Sequence, residues 1–278
     1  MNRVLRQWLH SGHSFVRLMR PHLYRTFAQL VLGYVLGGGR HLGFLVVVLV
    51  VLAPCLYGGL YTLNDVHDYR ADRLHPTKRL RPVAAGLVSP RSATAWGLGL
   101  IALGLAVAAL LDWRLFTLAW LFVLINYLYT WHLKAVPYVE IFANTLTHPL
   151  RFWGGLWLAG SGAHALVGLA GLLAGLVVTC LKRLKERRAG ALAARPVLRH
   201  YTPARLLPAA GLCLAALAAL WPATRGWDQW LTLVWLGLAV VAVMVYEGGP
   251  ALQPHWLAWR ARWSVPPVRP LGHRAGGK

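Results

Sequence analysis

The amino-acid sequence predicts an all-α protein, a polytopic membrane bundle of about eight transmembrane helices. Apolar residue types make up 57% of the 278 residues and charged types only 13%, about half of the roughly 25% found in soluble domains. The chain also contains eight long apolar runs, and its basic residues lie almost entirely between them. A soluble fold with so little charge would expose large apolar patches, so lipid is the expected solvent.

Each apolar run is close to the length of about 17 to 25 residues that a helix needs to cross a bilayer. The predicted spans lie near residues 22–38, 42–63, 92–111, 114–131, 137–159, 164–181, 204–222 and 228–247. The first is the least regular, because it contains Arg25 and ends in three glycines. We therefore assign residues 22–247 to one transmembrane domain. A basic interfacial segment at 1–21 precedes it, and a polar tail rich in Trp, Pro and Arg follows at 248–278.

The distribution of the basic residues predicts the orientation of the bundle. Of the 29 Lys and Arg residues, 25 fall on the side of the predicted spans that also holds both termini, three fall on the other side, and Arg151 lies inside a span. Such an asymmetry places both termini in the cytoplasm. The net charge of +21 does not indicate a nucleic-acid partner, because the basic residues are interrupted by apolar runs instead of forming one folded face.

Three of the eight carboxylates in the chain, Asp65, Asp68 and Asp72, lie within one short stretch directly after the second apolar run. If the helix continues there, spacings of three and four residues place them on one face together with Asn64. Like charges at these spacings repel each other, so a positive group is expected among them. Oxygen ligands that are few and open to substrate suit Mg²⁺ bridged to phosphate groups. These four residues are therefore predicted magnesium ligands.

A basic loop follows the acidic stretch, and its prolines Pro76 and Pro82 end helical continuation. The loop supplies four predicted substrate-binding residues: Arg73, Lys78, Arg79 and Arg81. A metal-binding face next to such a loop fits a diphosphate, because the metal ion neutralises some phosphate oxygens and the basic side chains bind others. The alternative is a solvated helix end whose acids pair with the nearby basic residues.

The stretch from Asn64 to Gly86 resembles the first signature of the UbiA superfamily of intramembrane prenyltransferases. Its pattern, N-D-V-x-D-x-x-x-D-R-x-H-P-T-K-R-x-R-P-x-A-A-G, is most similar to the decaprenyl-phosphate phosphoribosyltransferase branch. Residues 129–137 resemble the family loop Y-S-x-x-L-K-x-x-P, which contains Lys134 here. Arg151 stands where the branch has an arginine in its fifth helix, and residues 195–202 resemble the segment before the seventh.

The resemblance implies further site residues and also two departures from the family. It adds Lys134 and Arg151 to the three aspartates as catalytic residues, and it adds Asn64 and Tyr201 to the substrate-binding set. The second acidic signature begins with Glu140 in place of the usual Asp, so Glu140 is the candidate ligand of a second magnesium ion. Its alternative role is a carboxylate paired with Lys134 or Arg151. Relatives have nine helices, and the polar tail of this chain is not expected to form the ninth.

These features together predict a Mg²⁺-dependent, multi-pass integral membrane transferase, in a bacterial-type plasma membrane, with its active site on the cytoplasmic side. Its substrates would be a diphosphate donor and a polyisoprenoid lipid, and neither nucleic acid nor an obligate protein partner is expected. Two donors fit: an allylic prenyl diphosphate, or phosphoribosyl diphosphate reacting with a polyprenyl phosphate. The contrasting hypotheses are a transporter or other non-catalytic membrane protein that uses the acids as an ion site, and an inactive member of the family.

Overall fold

A computed structural model describes residues 12–74, 78–189, 192 and 195–247. Within these ranges all regular secondary structure is helical. Residues 12–19 form a helix ahead of the bundle. The remaining part of the predicted interfacial segment, residues 1–11, and the whole predicted tail, residues 248–278, lie outside the described ranges.

In the part of the chain that the structure describes, eight helices build the bundle. The first, α1, joins a 3-10 segment, Pro21–Phe27, to an α-helix, Ala28–Leu36. The others are α2 (Leu42–Arg73), α3 (Pro90–Leu111), α4 (Trp113–Trp131), α5 (Val139–Leu158), α6 (Ala165–Arg188), α7 (Pro203–Leu220) and α8 (Trp227–Glu247).

Each of the eight predicted spans coincides with one of these helices, so the predicted fold class is confirmed. Five helices in the described ranges, α2, α3, α6, α7 and α8, are long and apolar enough to cross a membrane by length and composition. The α-helical part of α1 has nine residues, and α5 carries Glu140 and Arg151 among its apolar residues. Both helices nevertheless pack inside the bundle, because α1 lies along α5.

The helix α5 connects two hydrophobic clusters. One cluster is built mainly from α1 to α4 and includes Leu158 at the end of α5. The other is built mainly from α6 to α8 and includes Ile141 near the start of α5. Because α5 contributes to both, its polar residues lie at the centre of the bundle and not on its lipid-facing surface.

The contact between α1 and α5 depends on glycines on both helices. A Cβ atom added to Gly155 would lie 2.1 Å from the carbonyl oxygen of Leu30, and one added to Gly33 would lie 2.1 Å from that of Phe152. Both distances are far below van der Waals contact, so the two backbones touch directly. Small residues allow this kind of approach between helices in membranes, where packing replaces the hydrophobic effect.

The helix α2 is longer than predicted, and this difference positions the acidic stretch. The sequence predicts a span that ends near residue 63, whereas α2 continues as a regular helix to Arg73. Within α2, residues Val51–Tyr57 are π-helical around Pro54, which has no backbone N–H to donate. The regular helix resumes at Gly58, and Asp65, Asp68 and Asp72 follow at helical spacing.

The substitution Gly155→Ala should destabilise the folded protein by about 1–3 kcal/mol, because the added methyl group separates α1 from α5. The measurement is the thermal unfolding midpoint of purified protein in detergent. Gly99→Ala is the matched control, since Gly99 is also in a helix and has no atom within 4 Å of an added Cβ. The direct backbone contact would be contradicted if both variants unfolded at the wild-type temperature.

Candidate functional site

A polar cavity of about 260 Å³ lies beside the carboxyl end of α2. Among the residues of the described ranges that line it, five carry a positive charge and one a negative charge. The cations are Arg20, Lys78, Arg81, Lys134 and Arg195, and the acid is Asp68. Polar neutral side chains complete much of the wall: Asn64, Asn126, Asn144, Thr130, Thr147, His148 and three tyrosines. The charge balance makes this cavity suitable for a ligand that bears several negative charges.

Two of the predicted aspartates are buried behind the cavity wall. The relative exposure of Asp65 is 2% and that of Asp72 is 3%. Arg20 forms an ion pair with Asp65, and Nη1 of Arg81 lies 2.6 Å from Oδ2 of Asp72 and 3.3 Å from Oδ1 of Asp65. Lys78 Nζ lies 4.0 Å from Asp72. The buried carboxylates therefore orient cations that face the cavity.

The third aspartate, Asp68, lines the cavity itself. Both of its carboxylate oxygens accept hydrogen bonds from Nζ of Lys134, at 2.6 and 2.8 Å. Its side chain keeps 18% of its surface exposed. Asn64, one helical turn earlier, lines the same cavity. Of the predicted magnesium ligands, Asn64 and Asp68 are thus the two that a ligand in the cavity reaches directly.

Arg20 reaches the site from the segment before α1. Its backbone is left-handed, with φ of 52°, a conformation that non-glycine residues adopt rarely. The guanidinium pairs with Asp65 and lies 4.6 Å from the centre of the Tyr61 ring. The conformation of Arg20 therefore brings a cation from the N-terminal side of the bundle onto the acidic face of α2.

The basic loop after α2 divides into residues that line the cavity and residues that do not. Lys78 and Arg81 line it. Burial and, secondly, the nearby Arg81 charge lower the pKa of Lys78. Arg73 points away, with its Nε donating to the carbonyl oxygen of Ala84 at 3.2 Å, and Arg79 is exposed. The structure thus brings two of the four predicted loop residues to the cavity.

Glu140 is fully buried and does not line the cavity. Its carboxylate accepts hydrogen bonds from Nε and Nη2 of Arg183 at 2.7 and 3.0 Å, from Nη2 of Arg195 at 2.7 Å, and from the hydroxyl of Tyr201 at 3.0 Å. Burial and, secondly, the charge of Glu140 raise the pKa of Tyr201. The partners of Glu140 are therefore neither Lys134 nor Arg151, the two residues that the sequence suggested. Tyr201 binds Glu140 and does not line the cavity.

Arg151 lies in the middle of the bundle and has 3% relative exposure. Its guanidinium carbon is 4.9, 5.0 and 5.6 Å from the ring centres of Phe27, Tyr57 and Phe122. Its Nη1 is 3.5 Å from Nδ1 of His148, and its Nε has no hydrogen-bond partner in the described part of the chain. None of the ion pairs found among the described residues involves Arg151, so this buried charge is held mainly by aromatic rings.

A second, apolar cavity of about 70 Å³ adjoins Arg151. Its wall is formed by Phe27, Leu30, Leu52, Leu118, Leu121, Phe122, Ile125 and Leu150 together with Arg151. Tyr57 and His148, which contact Arg151, line the polar cavity. Arg151 therefore stands between a polar and an apolar compartment.

Sequence reasoning did not assign Arg20, Arg183 or Arg195 to the site. Arg20 belongs to the predicted interfacial segment and Arg195 to a segment that resembles the family, but their partners Asp65 and Glu140 are 45 and 55 residues away in the chain. The available signal for Arg183 was its position at the end of an apolar run, which is also where ordinary interfacial residues occur. Polar Asn126 inside an otherwise apolar helix was a further signal, and it lines the cavity.

The donors at the cavity fit a magnesium ion bound together with a phosphate ligand. In the described ranges, no group of three His, Cys, Asp or Glu side chains converges in a way that would hold a metal ion by itself. Mg²⁺ is commonly held by one or two carboxylates and by substrate phosphates, with water completing the shell. The carboxylate of Asp68 and the amide oxygens of Asn64 and Asn144 at the cavity wall supply donors of this type.

The sequence profile of the UbiA prenyltransferase family matches residues 26–253. The chain is 34% identical over 169 residues to a digeranylgeranylglyceryl phosphate synthase from Thermococcus gammatolerans, an alignment that covers 58% of the chain and 56% of that relative. The synthase of the same name from Methanopyrus kandleri is 28% identical over 90% of the chain and 92% of its own length. The decaprenyl-phosphate phosphoribosyltransferase of Corynebacterium glutamicum is 32% identical over 53% of the chain and 46% of that relative.

The alignments with the Thermococcus and Corynebacterium proteins thus span about half the length of those relatives. The fold is also similar to that of a solved UbiA homolog from Archaeoglobus fulgidus bound to DMAPP and Mg²⁺, with a TM-score of 0.71. The identity is 21%, over 84% of the chain and 87% of the homolog. The family profile covers most of the helical bundle, including α2 and every residue that lines the polar cavity except Arg20. The chain therefore belongs to the UbiA prenyltransferase family, as its first signature predicted, and is an integral membrane protein of a transferase family.

Proposed function

We propose that this protein is a Mg²⁺-dependent transferase that binds a diphosphate donor in the polar cavity and a polyisoprenoid lipid beside it. The observation that carries the proposal is the charge of the cavity wall, where five cations face one carboxylate. A diphosphate group carries several negative charges on oxygens that accept hydrogen bonds from Lys and Arg. It therefore complements this wall better than a neutral or cationic ligand would.

The residues of the site have separate tasks in this proposal. Arg20, Lys78 and Arg81 bind phosphate oxygens, and the buried Asp65 and Asp72 hold Arg20 and Arg81 in place. Asp68 and Asn64 hold the magnesium ion, with Asp65 and Asp72 as further candidates on the same helix. When bound, Mg²⁺ neutralises phosphate oxygens and stabilises the charge of the leaving group.

Lys134 is the cation that couples metal binding to diphosphate binding. In the absence of a ligand its Nζ contacts both oxygens of Asp68, so it keeps that carboxylate neutralised. If Asp68 held Mg²⁺, Lys134 would be released from this carboxylate and could bind the departing diphosphate. The reaction then proceeds by positioning and electrostatic stabilisation, without a covalent intermediate on the protein.

The lipid substrate would lie with its polar end at Arg151 and the adjoining part of its chain against the apolar residues beside it. A buried guanidinium without an acidic partner is costly, and an anionic group on the lipid would offset that cost. The names of both kinds of relative refer to an isoprenoid lipid that bears a phosphate. This shared chemistry favours a phosphate-bearing isoprenoid lipid as the substrate at Arg151.

The donor is either an allylic prenyl diphosphate or phosphoribosyl diphosphate. The digeranylgeranylglyceryl phosphate synthases support the first, and the first-signature pattern together with the phosphoribosyltransferase relative supports the second. Purified protein with Mg²⁺ and a panel of labelled donors and lipid acceptors distinguishes them. The protein belongs to the ribosyl branch if it releases diphosphate from phosphoribosyl diphosphate in the presence of polyprenyl phosphate and releases none from any prenyl diphosphate.

The positive-inside rule supports a cytoplasmic position for the cavity. The basic segments before α1, after α2 and between α6 and α7 contribute Arg20, Lys78, Arg81 and Arg195 to its wall. Their charges belong to the basic side of the predicted spans. The variant Arg79→Cys tests this orientation, because residue 79 is exposed and a thiol reagent can be applied from the inside or the outside of membrane vesicles.

The substitution Asp68→Asn should abolish Mg²⁺-dependent turnover, because it removes the negative charge that lines the cavity while the side chain keeps its size. The measurement is diphosphate release with the active donor, and the unfolding midpoint in detergent verifies that the variant folds. Asp228→Asn is the matched control, since Asp228 pairs with His164 and does not line the cavity. Normal turnover of the Asp68 variant would eliminate the proposed magnesium role of this residue.

The substitution Arg151→Gln should raise the KM for the phosphate-bearing lipid roughly 10- to 100-fold, because one charge-assisted interaction is lost. The KM for the diphosphate donor should change little, and Arg151→Lys should recover part of the lipid affinity. Arg91→Gln, at an exposed position, serves as the control. Equal effects on lipid and donor would contradict the assignment of Arg151 to the lipid.

A further inference from the structure

The carboxylate of Glu140 has no capacity left for a metal ion. Four hydrogen bonds, three from two arginines and one from Tyr201, reach its two oxygens, and its exposure is 0%. Asp68 differs in each respect, because it has one lysine partner, keeps 18% of its surface exposed and lines the cavity. A metal ion at Glu140 would have to displace guanidinium groups from a buried ion pair, which is strongly unfavourable.

One of the two guanidinium groups on Glu140 also forms part of the cavity wall. Arg195 places Nη2 on Glu140 at 2.7 Å and Nη1 at 3.9 Å from Glu186, while its side chain lines the polar cavity. Its Nε is buried and has no hydrogen-bond partner among the described residues. Two carboxylates therefore fix a cation at the cavity, and the side chain of Arg195 keeps 24% of its surface exposed.

Arg183 explains why this arrangement is rigid. Its side chain is 2% exposed and binds Glu140 through Nε and Nη2 and Glu186 through Nη1 at 2.9 Å. Glu140 begins α5, Arg183 and Glu186 end α6, and Arg195 precedes α7. The cluster thus ties α5, α6 and the segment before α7 together at the cavity.

We infer that Arg195 is a fixed diphosphate-binding cation that occupies the position of a second metal ion, so that this protein binds its diphosphate with one divalent ion instead of two. The inference rests on the proposed function, since it concerns the same ligand. A guanidinium binds phosphate oxygens through paired N–H donors. Held by Glu140 and Glu186, it supplies a positive charge that does not dissociate and does not depend on the magnesium concentration.

The number of bound metal ions tests the inference on the unmodified protein. Mn²⁺ replaces Mg²⁺ as the probe, and electron paramagnetic resonance counts the ions bound per full-length chain in detergent at saturating inorganic pyrophosphate. One Mn²⁺ per chain is expected. Two would overturn the inference and leave the proposed function intact, whereas none would overturn both.

A matched pair of variants tests the role of Arg195 itself. Arg195→Gln keeps the buried contact between Glu140 and Arg183, and it should weaken pyrophosphate binding roughly 10- to 100-fold with the Mn²⁺ count still at one. Arg199→Gln is the control, because the side chain of Arg199 is exposed, donates only to the nearby carbonyl oxygen of Pro196 in the described ranges and does not line the cavity. Arg195→Lys should restore part of the affinity. Wild-type pyrophosphate affinity in a folded Arg195→Gln variant would overturn the inference.

Discussion

The burial of carboxylates at the end of α2 is the constraint on which the rest of the site depends. Asp65 and Asp72 have almost no exposed surface, and an ionised carboxylate in such a place requires a cationic partner. The chain supplies Arg20 from before α1 and Arg81 from the loop after α2. These two cations cannot leave the acids without a large cost, so their positions at the cavity are fixed before any ligand arrives. Cations that are already in position when the ligand binds stabilise its negative charge without further rearrangement.

The two sides of the cavity use this principle in different ways. On the α2 side, Asp68 remains accessible and pairs with one cation, Lys134, as the proposed magnesium role of this carboxylate requires. On the α5 side, Glu140 is saturated by Arg183 and Arg195, which favours a permanent cation. The apolar compartment beside Arg151 adjoins the polar one, so a charged head group and an insoluble chain can be held next to each other.

The fold was predictable from the sequence to a large extent. The thickness of the hydrocarbon core sets the length of a spanning helix, and the apolar runs in the sequence have that length. The acidic stretch was predictable for a similar reason, since charges are rare in such a chain and their spacing matches a helix face. The continuation of α2 to Arg73 was less predictable, because residues beyond 63 are too polar to count as part of a membrane span. The partners of the acids were not predictable: Arg20 and Arg195 meet Asp65 and Glu140 across 45 and 55 residues of sequence. Local patterns contain no information on contacts between such distant segments.

The most direct test of the central claim is the affinity of the purified protein for inorganic pyrophosphate, measured by calorimetry at increasing Mg²⁺ concentrations. If carboxylates and cations share one cavity around the ligand, metal ion and pyrophosphate must strengthen each other's binding by the same factor. The account predicts that pyrophosphate affinity rises with Mg²⁺ until the metal site is saturated. An affinity that is independent of Mg²⁺, or that falls as Mg²⁺ is added, would contradict it.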